Sequence, residues 1–397
     1  MVNRTGFQRQ ISVIWPNLHP SSPEFLDDRH SDICFVSAGV YEYLNPESKK
    51  PRGGAQRQQH MLGQELRDRR YSVSFLVGEY GQPKSQIIND MLVVKGCPER
   101  ISPFSLPKTI LRFWDAMRHV DPSVYYVRGA PRLAIATAVG CKLLRKPFIF
   151  CVANDADLKP ENLEERYGAT IRQLYNWVLQ TADTVITQTE RQQSLLKSQY
   201  RRDSTQIPNG YDLPSQKKLI PHTNRKFILW VGSSDPKQKR PKKYLNIAEQ
   251  LPESNFVMVS KPTSDVEYHN ELQKRAQSID NLRFVGAVDP DEIHEYYRQA
   301  KLLVNTSIYE GFPNTFLESW RFETPIVSLS FDLDGLLGMQ KGGIHSGETT
   351  KLCEDIQTLI SDPKKRQRLG ETGRQLVIDQ YSLSAAASKY ESIIQKY

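Results

Sequence analysis

Short apolar segments alternate with amphipathic segments along most of the chain. Apolar runs at residues 32–36, 71–77, 125–127, 147–153 and 184–188 predict buried strands in the first half. Helical periodicity predicts a helix that begins at the Gly-Gly-Ala sequence of residues 53–55, and further helices that span 132–144, 162–181 and 190–198. This alternation indicates a parallel sheet with helices on both faces.

The pattern stops at residues 213–225 and then starts again. This polar stretch contains two prolines and predicts a linker between domains. Beyond it, strands are predicted at 227–231, 255–259, 282–284, 301–305 and 325–329, with helices between them and at the end of the chain. The sequence therefore divides into an extension (1–31), a first domain (32–212), the linker (213–225), a second domain (226–380) and a closing helix (381–397).

The predicted fold class is α/β, with two Rossmann-like α/β/α domains that face each other across a cleft. Each half has enough predicted strands for a sheet of its own. Ligands of such sheets bind at the carboxyl ends of the strands. We therefore expect the functional site in the cleft.

Composition places the chain among ordinary soluble proteins. Hydrophobic residues make up 39% and charged residues 25%, and no apolar run is long enough to cross a bilayer. The first thirty residues lack the apolar core of a signal peptide. The five cysteines are scattered without a C-x-x-C pair, which argues against a disulfide framework or a zinc site. These features predict a cytoplasmic protein.

The net charge of +8 allows three kinds of partner: nucleic acid, an anionic membrane or an anionic small molecule. No nucleic-acid-binding signature is present, so we expect no nucleic acid partner. The basic, partly aromatic stretches at 40–52 and 67–71 suggest peripheral contact with the inner face of an anionic membrane. A basic surface that only meets solvent is the alternative.

One segment of the second half, residues 303–318, carries the clearest chemistry. A strand is predicted to end near Asn305, and a Gly-Phe-Pro turn then brings the backbone close to the occupant of the cleft. A helix begins at Asn314 or Thr315, where unpaired amide groups and the helix dipole favour an anion such as a diphosphate.

Two carboxylates, those of Glu310 and Glu318, flank this predicted anion site. Carboxylates accept hydrogen bonds from sugar hydroxyl groups. Thr315 and Glu318 also have the spacing of a capping box, in which Glu318 would bind the start of its own helix. That alternative does not explain the turn and Glu310 immediately upstream.

The EGFPN-x-x-x-E sequence at 310–318 resembles the signature of the family 4 retaining glycosyltransferases, which have the GT-B fold. Other similar features are GGA at 53–55, IPNGYD at 207–212, LWVG at 229–232, FVG at 284–286, the segment 362–370, and YS at 381–382. The resemblance covers nearly the whole chain from residue 32. It implies a nucleotide diphosphate sugar as donor, linked to uridine or guanosine, and no other cofactor.

The resemblance also implies roles for single residues. Glu310 would contact the donor sugar and Glu318 the ribose, while backbone amides near Phe312, Asn314 and Thr315 would hold the diphosphate. Gly286 and its neighbours would border the base, and the last helix would cross back onto the first domain. Carried over in this way, or proposed from position in the cleft, the candidate substrate-binding residues are Glu318, Gly311, Phe312, Pro313, Asn314, Thr315, Gly232, Ser233, Lys237, Gly286, Gly53, Gly54 and Asn154.

A second anion site is predicted at residues 232–241, where a glycine and several cations join a strand to a helix. Lys239 matches the lysine of the family, and its charge would stabilise a leaving diphosphate. Ser233 stands where the family has an arginine, and Lys237 is a candidate substitute. The alternative is a solvated basic turn.

In the first half, Asn154 and Asp155 follow a predicted strand, where the family often has a histidine. Asp155 is therefore a candidate sugar contact, and the candidate catalytic residues are Glu310, Lys239 and Asp155. Asp155 and Asp157 also match a D-x-D metal motif, but we interpret them as turn residues and predict no metal. Gly53 and Gly54 would let the backbone approach the donor, or would only form a tight turn.

These observations predict a retaining glycosyltransferase that acts on a glycan or lipid-linked acceptor, with cell-surface polysaccharide or glycoconjugate synthesis as the setting. A nucleotide-sugar epimerase on the same fold and a non-catalytic sugar-nucleotide-binding protein are the alternatives. A dehydrogenase is disfavoured because no G-x-G-x-x-G sequence follows a strand. The sequence does not fix the sugar, the linkage or the oligomeric state.

Overall fold

The computed structural model describes residues 30–45, 53–97, 106–289 and 292–397. Its first half contains an eight-stranded sheet in the order β3-β4-β2-β1-β5-β6-β7-β8. Neighbouring strands are parallel except β3 and β4, which are antiparallel. The strands are β1 Ile33–Val36, β2 Val73–Val77, β3 Ser85–Ile88, β4 Met91–Lys95, β5 Val124–Arg128, β6 Phe148–Cys151, β7 Thr184–Thr187 and β8 Thr205–Gln206.

The second half contains a six-stranded, fully parallel sheet in the order β11-β10-β9-β12-β13-β14. The strand order reverses between β9 and β12, and the carboxyl ends of these strands border a crevice of the kind in which ligands bind. The strands are β9 Phe227–Ser233, β10 Phe256–Lys261, β11 Leu282–Val285, β12 Ala300–Asn305, β13 Ile326–Ser328 and β14 Gly343–His345. Two mainly parallel sheets confirm the predicted α/β fold class.

Helices cover both sheets. They are α1 Tyr41–Leu44, α2 Gly54–Asp68, α3 Leu106–Val120, α4 Pro131–Leu144, α5 Pro160–Tyr167, α6 Ala169–Thr181, α7 Glu190–Tyr200, α8 Pro241–Gln250, α9 Val266–Gln277, α10 Ile293–Gln299, α11 Asn314–Trp320, α12 Thr349–Ser361, α13 Pro363–Gln380 and α14 Leu383–Ile394. The single helix predicted at 162–181 is wrong, because Gly168 has a φ of 87° and separates α5 from α6. No helix among the described residues is both long and apolar enough to cross a membrane.

Each sheet has a hydrophobic core on both faces, which explains why its strands read as continuous apolar runs. In β1, Cys34 and Val36 belong to one core cluster, whereas Ile33 and Phe35 belong to the other. This is the alternation expected for successive side chains of a strand. The five cysteines are buried and unpaired.

The two halves are joined twice. Residues 213–225 form two short 3₁₀ turns, and Arg225 fixes them to the second half by donating to Thr324 Oγ1 at 2.5 Å and to the Phe322 carbonyl at 2.6 Å. Helix α14 lies against α2 of the first half, where Arg69 and Glu391 form an ion pair of 2.5 Å. The predicted extension, up to residue 29, lies outside the described residues.

Candidate functional site

A cavity of about 660 Å³ lies between the two halves, at the carboxyl ends of β9 and β12. It is lined by Tyr43, Gly54, Arg57, Val231, Gly232, Ser233, Lys239, Val259, Lys261, Ala287, Val288, Asp289, Ile293, Glu310, Phe312, Pro313, Asn314, Thr315 and Glu318. Three cations (Arg57, Lys239, Lys261) and three carboxylates (Asp289, Glu310, Glu318) are in this wall. Such a wall suits a ligand that carries both negative charge and hydroxyl groups.

Glu310 and Lys239 form a buried pair in this wall. The Lys239 ammonium donates to Glu310 Oε1 at 2.5 Å, and the side chain of Glu310 is only 7% exposed. Lys239 comes from the loop after β9 and Glu310 from the loop after β12, which are neighbouring strands. The strand order therefore brings together two candidates that lie far apart in the sequence.

Glu318 is held by groups from three other segments of the chain. Arg57 of α2 donates to Glu318 Oε1 at 2.6 Å, and the Tyr211 hydroxyl donates to the same atom at 2.8 Å. The Tyr297 hydroxyl donates to Oε2, also at 2.8 Å. Glu318 is thus not a capping-box residue, and the residue before α11, Pro313, offers no side-chain cap. The alternative that Glu318 serves its own helix is wrong.

The starts of α2 and α11 meet at the cavity. A side chain at Gly54 would come within 2.6 Å of the Asn314 Nδ2 atom and would push the Asn314 side chain aside. Asn209 of the first half donates to Asn314 Oδ1 at 2.7 Å. Gly54 thus lines the cavity at the point where the two halves meet. The neighbouring Gly53 precedes α2 and does not line the cavity.

Of the two lysines predicted as ligands in the loop after β9, only Lys239 lines the cavity. Gly232, Ser233 and Lys239 line the cavity. Lys237 is exposed and lies outside the lining, because Asp235 folds the loop by accepting hydrogen bonds from the backbone of residues 237 and 238, each at 2.8 Å. The structure therefore does not support Lys237 as the substitute for the missing arginine.

Lys261 occupies the place that Lys237 was expected to fill. It ends β10, directly opposite Ser233 in the register of the two strands. Burial, and then the positive charge of Lys239, lowers the pKa of Lys261. The sequence contains a signal for this residue, because a lysine that ends a buried parallel strand lies at the edge where ligands bind.

Asn154 and Asp155 lie outside the cavity lining. The Asn154 side chain caps a 3₁₀ turn by accepting from the Ala156 backbone at 2.8 Å. Asp155 pairs with Arg191 at 2.9 Å, and burial raises its pKa to about 6. Both residues therefore have structural roles in the turn, and a sugar contact from Asp155 stays a prediction.

Gly311 also differs from its expected role. A side chain at this position would lie 2.0 Å from the Ala153 carbonyl, and the Gly311 carbonyl accepts a hydrogen bond from Gln192 at 3.1 Å. The glycine therefore serves contact between the halves and does not line the cavity. Gly286 is outside the lining as well, although residues 287–289 line it.

Candidate metal ligands do not gather in the described ranges. No group of three histidine, cysteine, aspartate or glutamate side chains there could hold a metal ion. The sequence Asp332-Leu-Asp334 repeats the D-x-D pattern, but Asp332 accepts from two backbone amides of the loop that follows, and Asp334 accepts from the backbone at the start of α7.

Two family descriptions match successive parts of the chain. "Glycosyl transferase 4-like domain" matches residues 53–210, and "Glycosyl transferases group 1" matches residues 214–376. The two matches adjoin at the linker and together span most of the chain.

Similar proteins include the lipopolysaccharide core biosynthesis glycosyltransferase LpsE of Rhizobium meliloti, 27% identical over 33% of this chain and 39% of that protein. The alpha-galactosylglucosyldiacylglycerol synthase of Streptococcus pneumoniae is 28% identical over 34% of this chain and 39% of that protein. The matched region thus spans about two fifths of the length of these curated relatives.

Solved structures show the same fold. Sucrose-phosphate synthase from Thermosynechococcus elongatus superposes with a TM-score of 0.74 at 18% identity, over 93% of this chain and 99% of that one. Anabaena HepE, in complex with UDP and glucose, superposes with a TM-score of 0.72 at 15% identity, over 93% of this chain and 100% of that one. With both halves matched by family and by fold, the chain belongs to the group 1 glycosyltransferases and has the two-domain GT-B architecture.

Proposed function

We propose that the chain transfers a sugar from a nucleotide diphosphate sugar, UDP- or GDP-linked, to a glycan or lipid-linked acceptor with retention of configuration. The observation that carries the proposal is the cavity wall, in which three cations and three carboxylates from both halves face one space. Cations bind a diphosphate and carboxylates bind the hydroxyl groups of sugars. Anabaena HepE has also been crystallised in complex with UDP-glucose, which supports a donor of this class.

The donor would lie along the wall in an order set by these groups. Lys239 and Lys261, with the backbone at Asn314 and Thr315, would hold the diphosphate. Glu318 would accept hydrogen bonds from the ribose, and Glu310 from the transferred sugar. The base would lie against residues 287–289. This order follows the spacing of the two glutamates on either side of the start of α11.

Transfer forms a bond between an acceptor oxygen and the anomeric carbon while the bond from that carbon to the diphosphate breaks. The acceptor proton passes to the departing phosphate oxygen, so no separate nucleophile is required. Lys239 and Lys261 would stabilise the charge that develops on the leaving group. Enclosure between the halves would keep water from the reacting carbon. Retention itself is inferred from the family resemblance.

The acceptor side of the proposal draws support from the relatives. The names of two of them refer to lipopolysaccharide core and to a glycosylated diacylglycerol, both of which are lipid conjugates of sugars. The predicted basic stretch at 67–71 is a weak candidate for membrane contact, because Arg67 pairs with Asp68 and Arg69 with Glu65 and Glu391. The other basic stretch was predicted at 40–52, and its residues 46–52 lie outside the described residues.

A better surface for membrane contact is formed by α3, α4 and α6, which pack side by side. These helices carry six lysines and arginines against one aspartate, and two of the six form ion pairs, Arg118 with Asp115 and Arg172 with Glu164. Leu111, Leu143 and Leu174 are 41%, 43% and 39% exposed on the same helices. Apolar side chains among cations favour the interface of an anionic bilayer, and we propose this surface as the point of peripheral contact at the inner face of the membrane.

The proposal is tested by measuring binding and products together. UDP, GDP and their common sugar conjugates are screened by thermal shift, since binding to the folded state raises the melting temperature. The best donor is then incubated with a glycan or lipid acceptor panel, and products are identified by mass spectrometry and NMR. An α-linked product from an α-linked donor supports the proposal. Isomerised donor without acceptor would indicate an epimerase, and binding without any product would indicate a non-catalytic protein.

Glu318→Ala supplies the variant for this test. We expect loss of measurable transfer, because the ribose contact and the cross-cavity pair both disappear. Glu249→Ala is the matched control, since Glu249 forms a surface pair with Arg275 and does not line the cavity. Wild-type rates in Glu318→Ala would refute the proposed donor site.

A further inference from the structure

A second pocket of about 510 Å³ lies between the linker and α10. It shares no lining residue with the donor cavity. Its wall consists of Leu213, Pro214, Lys218, Glu292, His294, Glu295, Arg298, Arg321 and Phe322. The family resemblance assigns a role to none of these residues, so the chemistry of the pocket must be inferred from the residues themselves.

The most unusual of these residues is Arg321. It is 91% buried, with an exposed fraction of 9%, and its Nε atom is enclosed without a hydrogen-bond partner. Its guanidinium lies over the rings of Tyr211 and Phe322, 5.2 Å and 5.7 Å from their centroids. Among the described residues none accepts a hydrogen bond from its side chain. Burial lowers the pKa of Arg321 and Arg57 acts in the same direction, whereas Tyr211, Glu318 and Asp212 act in the opposite direction.

A buried charge without a hydrogen-bonded counter-ion is costly, so it marks a position where a ligand would supply the missing partner. The two rings hold the guanidinium by cation–π contact, which engages none of its N–H groups as hydrogen-bond donors to an oxygen. A planar fork of N–H donors matches the oxygens of a phosphate group. The exposed Lys218 lines the same pocket and adds a second positive charge.

The other charged groups of the pocket restrict the size and charge of a ligand that could bind there. Arg298 is occupied by Glu295, to which it donates twice at 2.7 Å. His294 contacts Arg57 at 3.0 Å. The carboxylate of Glu292 remains in the wall and would repel a large polyanion but accept hydrogen bonds from hydroxyl groups. A small ligand with one phosphate and neighbouring hydroxyl groups fits both the cations, Arg321 and Lys218, and the carboxylate of Glu292.

We propose that this pocket binds a small phosphate monoester, with the phosphate on Arg321 and Lys218 and the hydroxyl groups toward Glu292. The site is separate from the donor cavity and does not depend on the proposed transfer reaction. It lies at the linker that joins the two halves. Its Arg321 contacts the ring of Tyr211, and the hydroxyl of Tyr211 donates to Glu318.

Isothermal titration calorimetry of the full chain with inorganic phosphate and with glycerol 3-phosphate tests this proposal, with glycerol as the uncharged control. We expect saturable binding of inorganic phosphate and of glycerol 3-phosphate, with the ester bound more tightly. This binding should persist in Lys239→Ala, a variant whose donor cavity lacks one of the cations proposed to hold the diphosphate. Arg321→Gln and Lys218→Ala should each weaken binding about tenfold, as expected for loss of a charged hydrogen bond.

Lys217→Ala is the matched control, because Lys217 is the exposed neighbour of Lys218 in the same turn and does not line the pocket. It should bind as the wild type does. Loss of binding in Lys239→Ala, or unchanged binding in Lys218→Ala, would overturn the proposal. If Arg321→Gln does not fold, as judged by circular dichroism, the comparison of Lys218→Ala with Lys217→Ala decides.

Discussion

Arg57 and Glu318, which are 261 positions apart in the sequence, form an ion pair of 2.6 Å across the cavity. Their side chains are 13% and 10% exposed, so solvent screens the pair weakly. Tyr211 contributes to both partners, since its hydroxyl binds Glu318 and its ring lies 5.3 Å below the Arg57 guanidinium. The pair therefore connects α2 of the first half to α11 of the second.

A double-mutant cycle should detect this connection. Arg57→Met leaves Glu318 buried with a weaker set of partners and should lower the free energy of unfolding by about 3 kcal/mol. Glu318→Gln should behave similarly, and the double variant should recover about 1–3 kcal/mol of the summed loss. Urea denaturation followed by circular dichroism measures all four proteins.

The Arg67–Asp68 pair provides the comparison for this cycle. It has a similar distance of 2.6 Å, but its aspartate is 62% exposed. The coupling energy of an exposed pair is about 1 kcal/mol or less. A coupling for Arg57 and Glu318 no larger than that of Arg67 and Asp68 would show that the cross-cavity pair does not hold the halves together.

Lys239 should affect turnover far more than its neighbour in the loop. We expect Lys239→Ala to lower kcat about 10²–10³-fold, because the cation would stabilise charge on the leaving diphosphate. Lys237→Ala should stay within about twofold of the wild type, since the Lys237 side chain is exposed outside the cavity. Steady-state kinetics with the best donor compare the two. Equal losses would mean that the loop acts only through its overall charge.

Much of the fold could be predicted from hydrophobic periodicity, because strands covered on both faces are apolar throughout. The hairpin of β3 and β4 was missed, although Asn89 and Asp90 both have positive φ, as a two-residue hairpin turn requires. An Asn-Asp pair between short apolar runs is the signal that could have revealed it.

The site was harder to predict than the fold. Glu310, Glu318 and Lys239 stand next to recognisable turns, so the sequence identified them as candidates. Arg57 and Lys261 line the same cavity only because two halves meet and two strands are in register. Such contacts depend on residues distant in the sequence. For Lys261 the local pattern shows only a lysine at the end of a buried strand, and for Arg57 it shows no signal. The positions of Lys237 and Asp155 could not be anticipated for the same reason.

The register of Lys261 with Ser233 leads to a rescue experiment. Lys261→Ala should weaken donor binding about tenfold, since one cation of the cavity is lost. Ser233→Arg, added to that variant, should restore part of the affinity, because residue 233 lies opposite residue 261 and lines the same cavity. Calorimetry with the donor gives both values. Wild-type affinity in folded Lys261→Ala would exclude Lys261 as a donor contact.

The proposed membrane surface can be tested by flotation with vesicles. The protein should bind vesicles of phosphatidylglycerol and phosphatidylcholine, less so as salt increases, and should not bind phosphatidylcholine alone. Leu111→Asp combined with Leu174→Asp should reduce binding severalfold, whereas Ile378→Asp, at an exposed position of α13, should not. Equal binding by all proteins would place any membrane contact elsewhere.

The pH dependence of stability should reveal a buried carboxyl group in the first half. Asp157 is 9% exposed, and burial raises its pKa from 3.8 to about 6, with Arg166 acting in the opposite direction. The folded state therefore retains a proton that the unfolded state loses between pH 4 and pH 6. Stability from this group is present below pH 4 and is lost as the pH rises through 6.

Asp157→Asn removes this titration. At pH 7 the variant should be more stable than the wild type, by up to about 3 kcal/mol for a shift of this size, and the difference should vanish near pH 4. Urea denaturation between pH 4 and pH 7 measures it. Asp203→Asn is the control, because the Asp203 side chain is 86% exposed and should show no comparable gain. A difference between Asp157→Asn and the wild type that did not change with pH would mean that Asp157 is charged in the folded protein throughout, and that Arg166 outweighs its burial.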